Sequence, residues 1–239
     1  MDLVTQSLEI NMKEEKTFKI APSGVDYALK CKRCLWLAYK GIKLDAFFPP
    51  IFNAFDLIQK KFLITQSVKL MSNVLPDGRI MTELSGFIGS STLKDKKGRE
   101  FVINGKTDIV VEFDTKPKKY GIIDLKTTNI NPSKIENYKL QLESYATIFQ
   151  NPNSKTPKFS NVEELGLYLF EPKEIINISD GSCNMKFETL YLKGSRCHEE
   201  LINRITNIID VCVMKQPPDY NLACASCKFV ISLIKEKYI

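Results

Sequence analysis

Residues 101–126 read FVINGKTDIVVEFDTKPKKYGIIDLK, and this stretch decides the fold. Two apolar runs, at 101–113 and 120–126, are separated by the short polar segment 114–119. Runs rich in valine, isoleucine and phenylalanine on either side of a short polar turn predict two antiparallel strands. A further strand-like run at 80–90 precedes them, so the pattern predicts a β-meander.

The predicted hairpin brings two acidic residues and a lysine together. Alternate side chains of a strand share one face, so Asp124 and Lys126 point the same way while Leu125 points into the core. A turn centred at 116–117 places Asp108 about opposite Leu125. Asp108 is then within reach of Asp124 across the ladder.

This group of side chains suits a hard divalent cation, because two neighbouring carboxylates repel each other unless a cation lies between them. Mg²⁺ or Mn²⁺ needs only one or two carboxylates besides water and substrate phosphate. Such an ion polarises a phosphate and lowers the pKa of bound water. Lys126, beside that water, could orient it or stabilise the transition state. The alternative is an exposed Asp/Lys face on a half-solvated sheet, the commoner origin of an isolated D-x-K tripeptide.

Three motifs, in this order and spacing, resemble the PD-(D/E)XK nuclease superfamily: G-x-x-D at Gly105–Asp108, D-x-K at Asp124–Lys126 and Q-x-x-x-Y at Gln141–Tyr145. The resemblance is above all to the RecB-like branch, which includes the CRISPR-associated adaptation exonucleases. It implies an α/β fold, with a single domain in which helices flank a mixed central β-sheet, the restriction-endonuclease-like core.

The resemblance also implies a role for each motif residue. Asp108 and Asp124 would be metal ligands, and the carbonyl oxygen of Leu125 would be a third ligand. Lys126 would be the catalytic lysine. The glutamine and the tyrosine of the third motif would contact DNA or support the site.

One part of the expected site is missing. Many RecB-like members carry a histidine on an N-terminal helix that completes the metal site, and the corresponding helix here, at about 50–63, has none. Asp56 on that helix and Glu83 on the first strand are the candidates to replace it. Either residue could equally be a surface carboxylate.

The function that the resemblance implies is a divalent-metal-dependent DNA nuclease, and it favours an exonuclease. The enzyme would act in DNA repair, recombination or CRISPR-type processing, on single-stranded DNA or free ends, with a helicase or CRISPR adaptation proteins as possible partners. The missing histidine leaves open a nucleic-acid-binding protein that retains the nuclease fold without activity. The net charge of +6 suits a nucleic-acid partner, but it also suits any protein with a basic surface.

Four of the seven cysteines form two C-x-x-C pairs, Cys31 with Cys34 and Cys224 with Cys227. Each pair offers two thiolates to one ion or cluster, so the repetition indicates a metal site rather than four small buried side chains. Many RecB-like nucleases hold a [4Fe–4S] cluster between the chain ends, usually with one N-terminal and three C-terminal cysteines, and this resemblance favours a cluster. The two-and-two pattern here also suits structural Zn²⁺ with four thiolates.

Length and layout predict one domain of 239 residues. The predicted parts are an N-terminal arm (1–20), N-terminal helices (21–65), the nuclease core (80–193) and C-terminal helices with the second cysteine pair (194–239). Further helices are predicted at about 132–149 and 199–214. The first residues lack a secretory pattern, no long apolar run indicates a membrane span, and the cysteine count is odd. These features favour a cytoplasmic protein.

Overall fold

Runs of helices and runs of strands follow one another along the chain in the computed structural model, which describes residues 17–42, 49–81 and 86–236. The α-helices are α1 (Pro22–Val25), α2 (Lys32–Tyr39), α3 (Pro50–Leu63), α4 (Lys139–Gln150), α5 (His198–Cys212) and α6 (Ala225–Lys235). The strands are β1 (Thr17–Ile20), β2 (Gly78–Ile80), β3 (Ile88–Gly89), β4 (Leu93–Lys94), β5 (Glu100–Gly105), β6 (Ile109–Phe113), β7 (Lys119–Thr127), β8 (Val162–Ser179) and β9 (Ser182–Gly194). Short 3₁₀ helices lie at Ala28–Lys30, Val68–Leu70 and Pro132–Asn137.

The strands form two mixed sheets instead of the one central sheet expected. The larger sheet has the order β2-β6-β7-β8-β9 and is antiparallel except for the parallel pair β7 and β8. In the smaller sheet, β5 pairs in parallel with β1 and antiparallel with β3 and β4. Helices flank both sheets, so the predicted class, a single mixed α/β domain, is confirmed.

The predicted hairpin is formed by β6 and β7. Its antiparallel register pairs Ile109 with Ile123. Continuing this register by one residue sets Asp108 beside Asp124, one position away from its predicted partner Leu125. The turn between the strands fixes this register, and with it the faces on which all the side chains of β7 lie.

The prediction of a single strand over 101–113 is wrong. The chain leaves the smaller sheet at the end of β5 and enters the larger one at β6, with Lys106–Asp108 between the two strands. Gly105 allows this crossing, because a Cβ there would lie 2.8 Å from Pro22 and 3.2 Å from Tyr145. The close approach of α1 and α4 to the backbone therefore needs glycine at this point.

The strand-like run at 80–90 is also divided, so the predicted meander is wrong. Its two ends belong to β2 and β3, which lie in different sheets. Residues 82–85 lie outside the described residues, and the candidate ligand Glu83 is among them.

The helix predictions are closer to the structure. The helix predicted at about 50–63 is α3, and the helix predicted at 199–214 is α5. The segment 132–149 begins as a 3₁₀ helix and becomes α-helical at Lys139. None of the helices in the described parts of the chain has the length and apolar character that crossing a membrane requires.

Apolar side chains pack on both faces of the larger sheet. Ile122 and Leu167 belong to a core that includes side chains of α4 and α5. On the other face, Ile123 and Leu125 pack in a second core with Leu63 of α3. Strand β7 is therefore covered by apolar side chains on both faces, and Leu125 points into the core as predicted.

A buried carboxylate fixes α4 against the segment that follows β9. Glu143 accepts hydrogen bonds from Nε and Nη2 of Arg196, both at 2.8 Å, and from the backbone N–H of Cys197 at 2.9 Å. The Glu143 side chain has no exposed surface. A buried carboxylate needs such partners, so these bonds hold the start of α5 in place.

We expect Arg196→Met to lower the free energy of unfolding by about 2 kcal/mol, because Glu143 then loses its charged partner inside the protein. Lys186→Met is the control, since it removes an exposed ion pair with Glu174 and should cost less than about 0.5 kcal/mol. Chemical denaturation measures both values. Equal losses in the two variants would contradict the stabilising role of the buried pair.

Candidate active site and cysteine centre

The structure brings the three charged residues of the hairpin together. Asp108 immediately precedes β6, while Asp124 and Lys126 share one face of β7. Asp108 and Lys126 line an open cleft of 490 Å³, and Asp124 is almost fully buried next to them. The further residues that line this cleft are Ser23, Tyr27, Phe52, Asn53, Asp56, Gln59, Leu125, Thr127, Tyr138 and Gln141.

Asp124 is held between an amide and an ammonium group. Its Oδ1 accepts a hydrogen bond from Nε2 of Gln141 at 2.8 Å, and its Oδ2 forms an ion pair with Nζ of Lys126. Burial raises the pKa of Asp124 to about 7, although Lys126 lowers it, and the nearby charge of Asp108 raises it further. The two carboxylates are therefore close enough to repel each other.

Both carboxylate oxygens of Asp108 are engaged. Oδ2 accepts a hydrogen bond from the backbone N–H of Leu125 at 2.9 Å. Oδ1 lies 2.7 Å from Nζ of Lys60. The first bond ties Asp108 to β7, and the second ties it to α3.

Lys60 is the site residue that the sequence reasoning missed. Its ammonium lies between Asp108 and Asp56, 2.8 Å from Oδ1 of Asp56. Burial lowers the pKa of Lys60, but Asp108 and Asp56 outweigh that effect and raise it overall. Asp56 thus reaches the site through Lys60. The only available signal was the i,i+4 pair on the predicted helix, which is common on exposed helices.

Gln141 and Tyr145, one turn apart on α4, support the site from within the protein. The backbone N–H of Gln141 donates to Oδ2 of Asp26 at 2.9 Å, so α1 and α4 meet behind Asp124. The hydroxyl of Tyr145 donates to the carbonyl oxygen of Lys106 at 2.8 Å, and Tyr145 is only 5% exposed. That bond holds the segment that leads into Asp108.

Aromatic rings line the same cleft. Tyr27 and Tyr138 pack edge to face, with ring centroids 6.3 Å apart, and Nζ of Lys126 lies 5.0 Å from the centroid of Tyr138. Phe52 of α3 lines the cleft as well. Rings beside a charged cleft are the kind of surface on which unpaired bases stack.

The four cysteines of the two C-x-x-C pairs also converge, as predicted. Their sulfur atoms all lie within 4.8 Å of one another. Sγ of Cys31 is 3.6 Å from Sγ of Cys227, and Sγ of Cys34 is 3.6 Å from Sγ of Cys224. Each close pair joins one N-terminal and one C-terminal cysteine, so this cysteine centre connects the beginning of α2 to the beginning of α6.

The helix start favours a thiolate at this centre. Cys224 is the N-cap residue of α6, and the backbone N–H of Cys227 lowers the pKa of Cys224 to about 7 against the opposing effect of desolvation. Thiolates, not thiols, bind metal ions. Burial raises the pKa of Cys31 and Cys34. The convergence of the four sulfur atoms, and not the acidity of one thiol, is therefore what suits this group to a metal ion.

A model of the PD-(D/E)XK nuclease superfamily matches residues 65–231, which is more than half of the chain. The chain belongs to this superfamily. The crystal structure of SSO0001 aligns over 92% of this chain and 86% of that one, with 16% sequence identity and a TM-score of 0.52, which shows a shared fold. An alkaline exonuclease, LHK-Exo from Laribacter hongkongensis, aligns over 92% and 93% of the two chains, with 12% identity and a TM-score of 0.39. No curated protein matches the chain.

PD-(D/E)XK nucleases use divalent metal ions, and the donors at the hairpin fit one. Asp108 and Asp124 supply hard carboxylate oxygens on neighbouring strands. Oδ2 of Asp124 is buried, and the ammonium of Lys126 forms an ion pair with it. A buried carboxylate beside a second carboxylate is suited to bind a cation.

We expect Tyr145→Phe to lower the free energy of unfolding by about 1 kcal/mol, because the Lys106 carbonyl loses the buried tyrosine hydroxyl that donates to it. Urea denaturation measures the change, and Tyr220→Phe, near the cysteine centre, serves as the control for loss of a tyrosine hydroxyl. If Tyr145→Phe is as stable as the parent, the hydroxyl does not hold the segment before Asp108.

Proposed function

We propose that this protein is a divalent-metal-dependent DNA nuclease that acts on single strands or free ends. One observation carries the proposal: Asp108, Asp124 and Lys126 converge beside an open cleft in a member of the PD-(D/E)XK superfamily. In an accidental D-x-K on a solvated sheet face, the aspartate would be exposed to water. Here Asp124 is buried, and it is held by a hydrogen bond from Gln141 and an ion pair with Lys126. The buried position of Asp124 thus argues against the alternative considered for the sequence.

The metal ligands in this proposal are the carboxylates of Asp108 and Asp124 and the carbonyl oxygen of Leu125. A divalent ion bound there would polarise the scissile phosphate and lower the pKa of a water molecule. Gln141 orients the Asp124 carboxylate through its side-chain amide. Tyr145 acts less directly, because its hydroxyl holds the carbonyl of Lys106 in the backbone that precedes Asp108.

Lys126 is the proposed catalytic residue. Its side chain is 25% exposed and lines the cleft, while its ammonium contacts Asp124. Its place next to the proposed ligands allows Nζ to donate to the attacking water or to a phosphate oxygen as negative charge develops. The ion pair with Asp124 limits where this ammonium can move.

The substrate in this proposal is a DNA strand with unpaired bases. Tyr27, Phe52 and Tyr138 line the cleft, and the ring of Tyr138 lies beside Lys126. These rings offer surfaces on which bases of any sequence can stack. An enzyme that stacks unpaired bases beside its cleavage site favours ends and single strands. This is the structural basis for proposing an exonuclease.

We expect Asp108→Asn and Lys126→Met each to reduce Mg²⁺- or Mn²⁺-dependent cleavage of end-labelled single-stranded DNA by at least about 100-fold, since each removes a charge used in the reaction. Lys119→Met is the matched control, because it removes a lysine from the far end of the same strand, where it pairs with Glu163. The control should cleave at the parent rate.

Cleavage that persists in both site variants would contradict the assignment of the site. Parent protein that binds labelled single-stranded DNA but never shortens it, with any divalent ion, would instead indicate a non-catalytic binding protein that retains the nuclease fold.

The second part of the proposal concerns the cysteine centre, which we assign to one zinc ion. A tetrahedral Zn²⁺ with Zn–S bonds of about 2.3 Å places its four sulfur atoms about 3.8 Å apart. Two of the separations between sulfur atoms are 3.6 Å, and all four sulfur atoms lie within 4.8 Å of one another, close to that value. In a [4Fe–4S] cluster each cysteine binds a different iron, which spreads the sulfurs more widely. The distances thus favour zinc over the cluster that the resemblance favours.

The role of this centre would be structural. Four thiolates fill a tetrahedral shell and leave no position for substrate. Cys31 and Cys227 are 196 residues apart in sequence, so an ion between them closes most of the chain into one loop and restricts the unfolded state.

We expect about one zinc per chain by metal analysis and no absorbance band near 400 nm in the purified protein. Cys31→Ser should lose zinc and unfold at a lower temperature, whereas Cys183→Ser, an exposed cysteine outside the group, should change neither. Brown protein with about four iron atoms per chain would overturn the zinc assignment and leave the nuclease proposal untouched.

A further inference from the structure

Lys60 holds an unusual position for a lysine, because its ammonium occupies the acidic site itself. The side chain is only 19% exposed, and Nζ contacts Asp108 at 2.7 Å and Asp56 at 2.8 Å. Asp108 is 15% exposed, so this is a shielded ion pair and not a surface contact. Such a pair is screened little by salt.

The charge balance shows what this ammonium does to the site. Among the described residues, three carboxylates meet here, those of Asp56, Asp108 and Asp124, together with the ammonium groups of Lys60 and Lys126. The formal charges of these five groups add up to −1. One divalent cation brings it to +1, and a second one would bring it to +3, which is unfavourable in a partly buried site.

A cation that binds Asp108 must also compete with Lys60 for the same carboxylate. Oδ2 of Asp108 accepts from the backbone of β7, and Oδ1 contacts Lys60. A lysine ammonium and a metal ion that contact the same carboxylate are close enough to repel each other. Lys60 therefore has to withdraw from Asp108 when the ion enters.

Asp56 gives the withdrawing ammonium a second partner. Both of its oxygens lie 2.8 Å from Nζ of Lys60, one turn away on the same helix, and Asp56 is 48% exposed. Lys60 can turn towards Asp56 and the cleft opening without losing its ion pair. The change needs a side-chain rotation only, with α3 unmoved.

We propose that Lys60 is an internal competing cation, which neutralises Asp108 in the metal-free protein, leaves Asp108 but keeps its ion pair with Asp56 when a divalent ion binds, and limits the site to one ion. This inference rests on the proposed metal site. It makes Lys60 a residue that sets metal affinity and number, distinct from the catalytic role given to Lys126. The helix that carries Lys60 has no histidine, and an ammonium cannot ligate a metal ion while it is charged.

The test is a titration of the 239-residue chain with Mn²⁺ by calorimetry, which needs no activity. We expect Lys60→Met to bind Mn²⁺ at least about 10-fold more tightly than the parent, because Asp108 is then free of its competitor. Lys61→Met is the matched control, since it removes the same charge from the next, exposed position of α3 and should change the affinity less than about 2-fold.

A second variant should change the Mn²⁺ affinity in the opposite direction. Asp56→Asn removes the alternative partner of Lys60, so the ammonium stays on Asp108 and Mn²⁺ should bind at least about 5-fold more weakly. Because Asp56 is half-exposed at the surface of α3, this variant tests the inference even if Lys60→Met does not fold.

The outcomes separate this inference from the proposed function. If Asp108→Asn abolishes Mn²⁺ binding while Lys60→Met leaves it unchanged or weakens it, the competing-cation role is wrong and the metal site stands. If Asp108→Asn binds Mn²⁺ as the parent does, the metal site itself is wrong. Two Mn²⁺ ions bound per chain at this site in the parent would also overturn the limit to one ion.

Discussion

The repulsion between two carboxylates on neighbouring strands is the constraint on which this structure depends. The register of β6 and β7 sets Asp108 beside Asp124, and packing on both faces of β7 removes most of the surrounding water. Charges that are brought together in such a place must be compensated. Lys60 and Lys126 supply the compensation, one from each side.

Helices on both sides of β7 hold these charges in position. From α4, Gln141 orients Asp124 and Tyr145 fixes the backbone before Asp108. From α3, Lys60 reaches Asp108, and Nε2 of Gln59 donates to the hydroxyl of Thr127 at 2.9 Å. The site is thus built between rigid elements, which suits a reaction that needs a fixed arrangement of ligands.

The cysteine centre serves a different purpose from the acidic site. It joins the beginnings of α2 and α6, and both helices bury little surface. Among the described residues, α2 has no buried residue and α6 has Cys227 alone. A short terminal helix with so little buried surface needs another source of stability. A metal ion bound at the four thiolates would provide it, because the binding energy would become folding energy.

The sequence by itself determined the hairpin and the helix at 50–63. It also determined which residues form the acidic group with its lysine and which four cysteines form the second group. These depend on local patterns: apolar runs around a short turn, a proline-initiated amphipathic segment, and the spacing of D-x-K and C-x-x-C. The tertiary structure alone decided the break in the strand at Gly105, because α1 and α4 approach the backbone there. It also decided the pairing of Lys60 with Asp108 and the separations of the sulfur atoms. Such contacts join residues far apart in the chain, so their distances depend on how the elements pack and no local pattern contains them.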